Sequence, residues 1–309
     1  MRVHRVPQGE VTKMPDPFIQ NAPRRRDQRA LTALFSTTVL LTKQLEEIVY
    51  DSYSHARKQL YAMGKSGYLE RIVPEFRTSE GKLWILTKRA FFRELRGSKL
   101  YYDESYPELP RRLEHVVATN DVYVGVRDEL EHRFGDEEAG WHWKHEGRAF
   151  DRFEMGSRRY VHQPDAELCF GERVLYIERE TGRAREAPSR FNERTKSYAA
   201  RERFLSHERL VPEVVWACDT ERDTEHALAA SRRHGVRAVC GTPEQIISYI
   251  KEAINEEADR LGLEPFKPEV YEASPRAQRL LRRAAKKPHT NGSRPVGRDK
   301  DEVENRLPF

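Results

Sequence analysis

Three acidic side chains in one short stretch carry the first chemical signal. The segment "PDAELCFGERVLYIERETG", residues 164–182, reads as two short strands, with Asp165 opening the first and Glu178 and Glu180 closing the second. Glu178 and Glu180 are two apart, so on a strand they face the same way. If the two strands run antiparallel, Asp165 comes close enough to Glu178 to share a cation. Hard divalent ions take oxygen ligands, and an ion held by carboxylates is what metal-assisted phosphodiester cleavage needs. Pro164 suits a strand start, where its missing N–H costs nothing. Glu146, in the earlier segment "WHWKHEG", is a further candidate ligand, which makes the metal set Glu146, Asp165 and Glu178. The plainer reading of the same residues is an edge hairpin with a solvated acidic face.

The elements around this stretch must position it. A long helical run from Arg111 to about Phe134 comes first, then a strand at "WHWKHEG", where Trp141 and Trp143 share a sheet face, then a charged, Arg-rich loop. After the two acidic strands, "PSRFNERTKSYAARERFLS" is amphipathic, with Phe191, Tyr198 and Leu205 on one side. "EVVWACD" is a buried strand, "DTEHALAASRRHG" a helix ended by Gly235, and "VRAVCG" another strand. Thr242 caps a last helix. Strands in succession, followed by strands alternating with helices, imply a mixed sheet flanked by helices over 111–270.

Upstream, residues 27–97 show a different order. "DQRALTALFST" places Leu31, Leu34 and Phe35 on one helix face; a second helix begins at Thr42 as its N-cap; a third buries Ala56, Leu60 and Met63. Strands at Leu69–Val73 and Leu83–Leu86 enclose a polar turn, and Thr87 caps one more helix. Three helices and a hairpin is the order of a winged helix-turn-helix. Ser54, His55, Lys58 and Gln59 then lie outside the third helix, suited to phosphates and base edges, and Arg77 and Lys82 in the wing reach phosphates. A small helical domain for protein contacts fits the same pattern. Residues 98–110, with Pro107 and Pro110, read as a linker. The fold class is therefore α+β.

Net charge is +5 over 309 residues, and it is unevenly spread. Residues 271–309 hold ten Lys/Arg against five Asp/Glu and residues 1–30 hold seven against three, so the middle is net acidic. A basic arm over 1–26 and a basic tail over 271–309 suit a polyanion, most simply double-stranded DNA; solubilising tails are the bland alternative. No apolar run reaches membrane-span length, so no membrane partner is expected, and the cytoplasm is the expected location. Cys169, Cys218 and Cys240 lack paired metal spacing and read as buried reduced thiols. No phosphate-binding glycine loop and no GxSxG motif occurs. His115 reads as a hydrogen-bonded helix histidine or, less simply, a proton shuttle. His142 and His145 lack the helical spacing of zinc motifs.

Pro164-Asp165 followed by Glu178-Arg179-Glu180 and a helix resembles the PD-(D/E)XK nuclease superfamily. A winged helix ahead of that domain, with "LEHVVATND", "YIERETG" and "TKSYAA", is similar to the bacterial replication-relaxation family. The resemblance implies a restriction-endonuclease-like domain, a catalytic set of Asp165, Glu178, Glu180 and Lys196, Mg2+ or Mn2+ if the site cuts, and a setting in plasmids or mobile elements. It departs from the superfamily at Glu180, where lysine is usual; Lys196 on the following helix is the expected substitute, because strand alternation turns Arg179 to the other face. Two functions follow as expectations: a DNA-binding protein that nicks or holds DNA, or a non-catalytic winged-helix regulator or initiator whose second domain dimerises or recruits partners.

Overall fold

Leu31, Leu34 and Phe35 do share a face, and the helix that carries them, α1 (Arg25–Thr37), buries all three completely. The structure, a computed structural model, describes residues 25–95, 105–137, 140–155, 157–182, 188–205 and 212–265. These all belong to one unit, residues 1–266; most of the expected basic arm, residues 98–104 of the expected linker and the whole basic tail lie outside the described residues.

After α1 come β1 (Leu40–Leu41), α2 (Thr42–Val49), α3 (Tyr53–Lys65), β2 (Leu69–Ile72) and β3 (Leu83–Leu86). The strands form an antiparallel sheet in the order β1-β3-β2. Ser52 caps α3 by accepting from the His55 N–H, and such a cap stabilises a helix by about 1 kcal/mol. Thr42 is not the cap expected of it. It is the first residue of α2, and its hydroxyl oxygen accepts from the Lys82 N–H (3.1 Å) and Trp84 Nε1 (3.0 Å). Tertiary partners have claimed a side chain that local reasoning assigned to the helix end. The approach is so close that Gly81, at φ +99°, leaves no space for a Cβ, which would meet Thr42 Oγ1 at 2.7 Å. Thr87 caps α4 (Lys88–Ala90) as expected, and that helix runs into a π-helical turn at Phe91–Leu95.

The rest is built around α5 (Leu113–Phe134), whose buried residues surround the helix rather than forming one stripe. That is the pattern of a helix covered on several sides. One side packs on the N-terminal elements, where Asn120 Nδ2 donates to the carbonyls of Thr37 (3.2 Å) and Val39 (2.6 Å), and Gln44 Nε2 donates to that of Val117 (3.1 Å). The other side packs on a five-stranded sheet made by β4 (Trp141–His145), β7 (Ala166–Phe170), β8 (Arg173–Glu180), β9 (Glu213–Cys218) and β10 (Ala238–Gly241), in the order β10-β9-β8-β7-β4. β8, β9 and β10 are parallel, whereas β7 pairs antiparallel with β8 on one side and β4 on the other, so the sheet is mixed. The segment expected as an Arg-rich loop is instead a separate hairpin, β5 (Asp151–Met155) with β6 (Arg158–His162). Cross-strand stacking of Phe153 on Tyr160 (5.2 Å) supports it, a pairing that charge density in the sequence obscured.

Helices cover both sheet faces. Leu175 and Ile177 of β8 point into the core shared with α5 and α8 (Pro243–Arg260). Tyr176, between them, points to the opposite core with Phe191 and Tyr198 of α6 (Pro188–Phe204) and Ala227 of α7 (Glu221–His234). Trp141 and Trp143 are both buried in the first core, as their two-residue spacing requires. The three cysteines are free; only Cys218 is buried outright, and burial pushes the three thiols up to about 11 or 12. Among the described residues no helix is long and apolar enough to cross a membrane.

Candidate active site

β7 and β8 pair antiparallel with Ala166 opposite Ile177, so the next residues in register, Asp165 and Glu178, meet at the end of the ladder. Asp165 Oδ2 accepts the Arg179 N–H at 2.8 Å, which fixes its carboxylate against β8. Glu178 and Glu180 project from β8 toward α6. That helix is held by Phe191 and Tyr198 in the core beneath it, and Arg194, three residues after one and four before the other, lies on the same side. Its guanidinium joins the three carboxylates: Nη1 contacts Glu178 and Glu180 (3.1 Å to the latter), and Nη2 lies 3.8 Å from Asp165 Oδ1. The Tyr198 hydroxyl donates to Glu178. From α5, His115 Nε2 stands 2.9 Å from Asp165 Oδ1. All three carboxylates are more than nine-tenths buried.

Burial on that scale disfavours charge, and the neighbours decide which group keeps it. Burial alone would push Asp165 up, but His115, Arg194 and the Arg179 N–H together hold it well below the usual carboxylate range. Glu178 goes the other way: burial raises it against the pull of Arg194, and the negative Asp165 and Glu180 add to the rise. Glu180 is raised by burial as well. Arg194 is held even more firmly charged by Glu178. A further cation, Arg190, one turn back on α6, also acts on Glu180 and feels Arg194, Glu180, Arg112 and Asp165. Arg194 thus bridges three acids, of which burial pushes Glu178 and Glu180 toward their protonated forms while Asp165 keeps its charge.

The structure therefore brings Asp165, Glu178 and Glu180 together and leaves two expected partners elsewhere. Lys196 is two residues beyond Arg194, a rotation of about 200° around a helix; it is exposed on the far side of α6, beside Arg158 and Arg203. The expected helix-borne cation is present, but it is Arg194. Glu146 lies just past the end of β4 and its carboxylate accepts from Gln163 Nε2 at 2.9 Å, outside the cluster. Arg179 does turn to the other side, with its guanidinium on Asp219 and the Ala217 carbonyl. Sequence reasoning passed over Arg194, although its place between the inward-facing Phe191 and Tyr198 was a usable signal.

Of the residues read as DNA contacts, Ser54 and Lys58 are exposed on α3, and His55 and Gln59 are half-buried beside them. His55 is within 3.6 Å of Asp51. Arg77 is exposed but already paired. Its guanidinium forms a two-point pair with Asp121 of α5, at 3.0 and 2.6 Å, because that carboxylate lies closer than solvent-borne phosphate and the fork geometry fits it. Lys82 is half-buried, with its backbone bonded to Thr42.

Hard divalent ions such as Mg2+ or Mn2+ take oxygen donors, and the donor set Asp165, Glu178 and Glu180 is of that kind. A second group, His142, Glu167 and Cys169, brings one donor atom each within 4.8 Å of the others. There Lys144 Nζ already stands 2.6 Å from Glu167.

No family model matches the chain, and no curated protein matches it. Among solved structures, it is similar to protein VC1899 from Vibrio cholerae, at 10% identity and TM-score 0.31, over 79% of this chain and 55% of that one. It is also similar to the restriction endonuclease FokI bound to DNA, at 8% identity and TM-score 0.27, over 75% of this chain and 45% of that one. The chain thus spans about half the length of each. Both TM-scores are too low to define a shared fold, so the chemistry rests on this chain's own residues.

Proposed function

We propose that this protein binds DNA and cuts one or both strands at the Asp165–Glu178–Glu180 cluster, with Arg194 in the role a lysine has in the PD-(D/E)XK pattern. The observation that carries the reading is the convergence of three buried carboxylates on one guanidinium at the end of two paired strands. Mg2+ or Mn2+ held by Asp165, Glu178 and Glu180 would supply Lewis acidity toward a phosphate oxygen and a hydroxide near neutral pH. The chain's own groups do the rest. The Arg179 N–H and His115 orient Asp165; Tyr198 holds Glu178. Arg194 is placed to bond a phosphate oxygen and offset the charge that grows on it during displacement. Arg190 and Arg112, further out, favour the approach of a polyanion.

The N-terminal order of three helices and a three-stranded antiparallel sheet supports a winged-helix reading for residues 27–97, with Ser54 and Lys58 of α3 turned outward. Duplex DNA is the partner that both regions suit. The plasmid or mobile-element setting stands on the sequence resemblance alone. One observation favours the rival, a protein that holds DNA without cutting it: Arg194 already occupies the space between the carboxylates. Supercoiled plasmid separates the two. Nicking that requires Mn2+ and disappears in Asp165→Ala and Arg194→Ala supports cleavage. Unbroken plasmid shifted on a gel by wild-type protein supports the rival and removes the nuclease reading.

A further inference from the structure

Helix α6 has a second polar side. Opposite Arg194, a cavity of about 500 Å3 opens between α6, the β5–β6 hairpin and the end of α7. Arg158, Arg159 and Tyr160 line it from β6, Lys196 and Arg203 from α6, and His234 from α7. Ala199 and Ala200 also line it, small side chains that leave the space open. The walls are fastened to each other: Ser197 Oγ donates to the Val161 carbonyl at 2.8 Å, and Phe153 of the hairpin packs on Phe204 of α6 at 5.0 Å. Arg159 is paired with Glu154, but Arg158 and Lys196 form no ion pair among the described residues.

Like charges gathered around one cavity repel one another, by about 1 kcal/mol for a pair 4 Å apart in water and more where the dielectric is lower. Among the described residues that line the cavity there is no carboxylate, so Arg158 and Lys196 have no counter-charge there. An external anion would supply one. The spacing favours several linked phosphates over a single one. From Lys196 to Arg203 the helix rises about 10 Å, longer than a single phosphate group covers.

We propose that this cleft is a second binding site on the protein, for the phosphodiester backbone of duplex DNA, distinct from the carboxylate cluster and rigidly joined to it through α6. It rests on the DNA-processing reading above, and it gives Lys196 a binding role in place of the catalytic one. Phosphate contacts of this kind carry no sequence preference and weaken steeply with salt.

The test is fluorescence anisotropy of a short labelled duplex against KCl concentration. Three full-length proteins are compared: wild type, Arg158→Gln/Lys196→Gln, and a charge-matched control, Arg222→Gln/Lys251→Gln, on α7 and α8. The salt slope of the cleft variant should fall by about 2 relative to wild type, one per contact removed, with roughly tenfold weaker binding at about 0.1 M salt. The control should keep the wild-type slope. Lys196→Arg should keep it too, since the charge remains. A cleft variant that titrates like the control overturns the cleft while leaving the DNA reading standing; wild-type protein that binds no duplex overturns both. Displacement of the duplex from wild type by millimolar inorganic phosphate at constant ionic strength would overturn the polymer assignment in favour of a free-anion site.

Discussion

Two arginines, Arg127 buried and Arg194 half-buried, each with a tyrosine four residues away on the same helix, sit on opposite sides of the central sheet. On α5, Arg127 donates to the Tyr123 hydroxyl (2.5 Å) and to Glu131 (2.7 Å), and Tyr123 donates to Glu137 (2.9 Å). Arg29 of α1 adds a second guanidinium to Glu131. Two cations therefore face two carboxylates, and the network joins the N-terminal elements to the sheet. On α6, Arg194 with Tyr198 answers three carboxylates. The first arrangement is closed. The second gathers three acids round one guanidinium and pushes Glu178 up toward its protonated form, so a divalent ion taking the place of that proton is what the cation-site reading needs. What sets the two apart is the number of acids each arginine contacts, two for Arg127 and three for Arg194.

The largest effects should come from removing the arginines. Arg194→Met and Arg127→Met should each lose about 3–5 kcal/mol of stability, since uncompensated buried carboxylates remain. Only Arg194→Met should recover in millimolar Mn2+, because only that cluster can hold a divalent ion. Denaturant melts with and without Mn2+ decide this, and equal recovery of both variants would erase the distinction. In the same assay Asp165→Ala should lose the Mn2+ response that Glu137→Gln keeps.

A smaller effect, of opposite sign, is expected at Glu178. Its folded-state pKa is raised, so above about pH 5 an unfolded glutamate is ionised while the folded one still holds its proton, and wild-type stability drains away as pH climbs. Glu178→Gln avoids that loss. It should be more stable than wild type by about 1 kcal/mol without metal at pH 8 and by less at pH 5, while nicking is abolished. A variant less stable at pH 8 than at pH 5, relative to wild type, would contradict the raised Glu178 pKa. Smallest of all, Tyr198→Phe and Tyr123→Phe should each cost about 1 kcal/mol, with only Tyr198→Phe altering the Mn2+ dependence of nicking.

Much of the β7–β8 site could be read along the chain, and the reason is local. Adjacent strands with alternating side chains fix which residues meet, so Asp165, Glu178 and the turn of Arg179 to the opposite face followed from spacing. The β5–β6 hairpin did not, because strong charge masks the Phe153–Tyr160 pairing that makes it a sheet. Thr42 and Arg77 failed for a shared cause: each had a plausible local role, and a partner distant in sequence (Trp84 for one, Asp121 for the other) took it.

Sequence alone determined the helices, the β7–β8 pair and the acids it carries, because those depend on periodicity and near neighbours. Tertiary structure decided which cation completes the site. Arg194 and Lys196 are both basic and two residues apart, and only the docking of α6 through Phe191 and Tyr198 turns one toward the carboxylates and the other into the cleft. Helix rotation is set by packing against the sheet, and no local pattern encodes it without that surface.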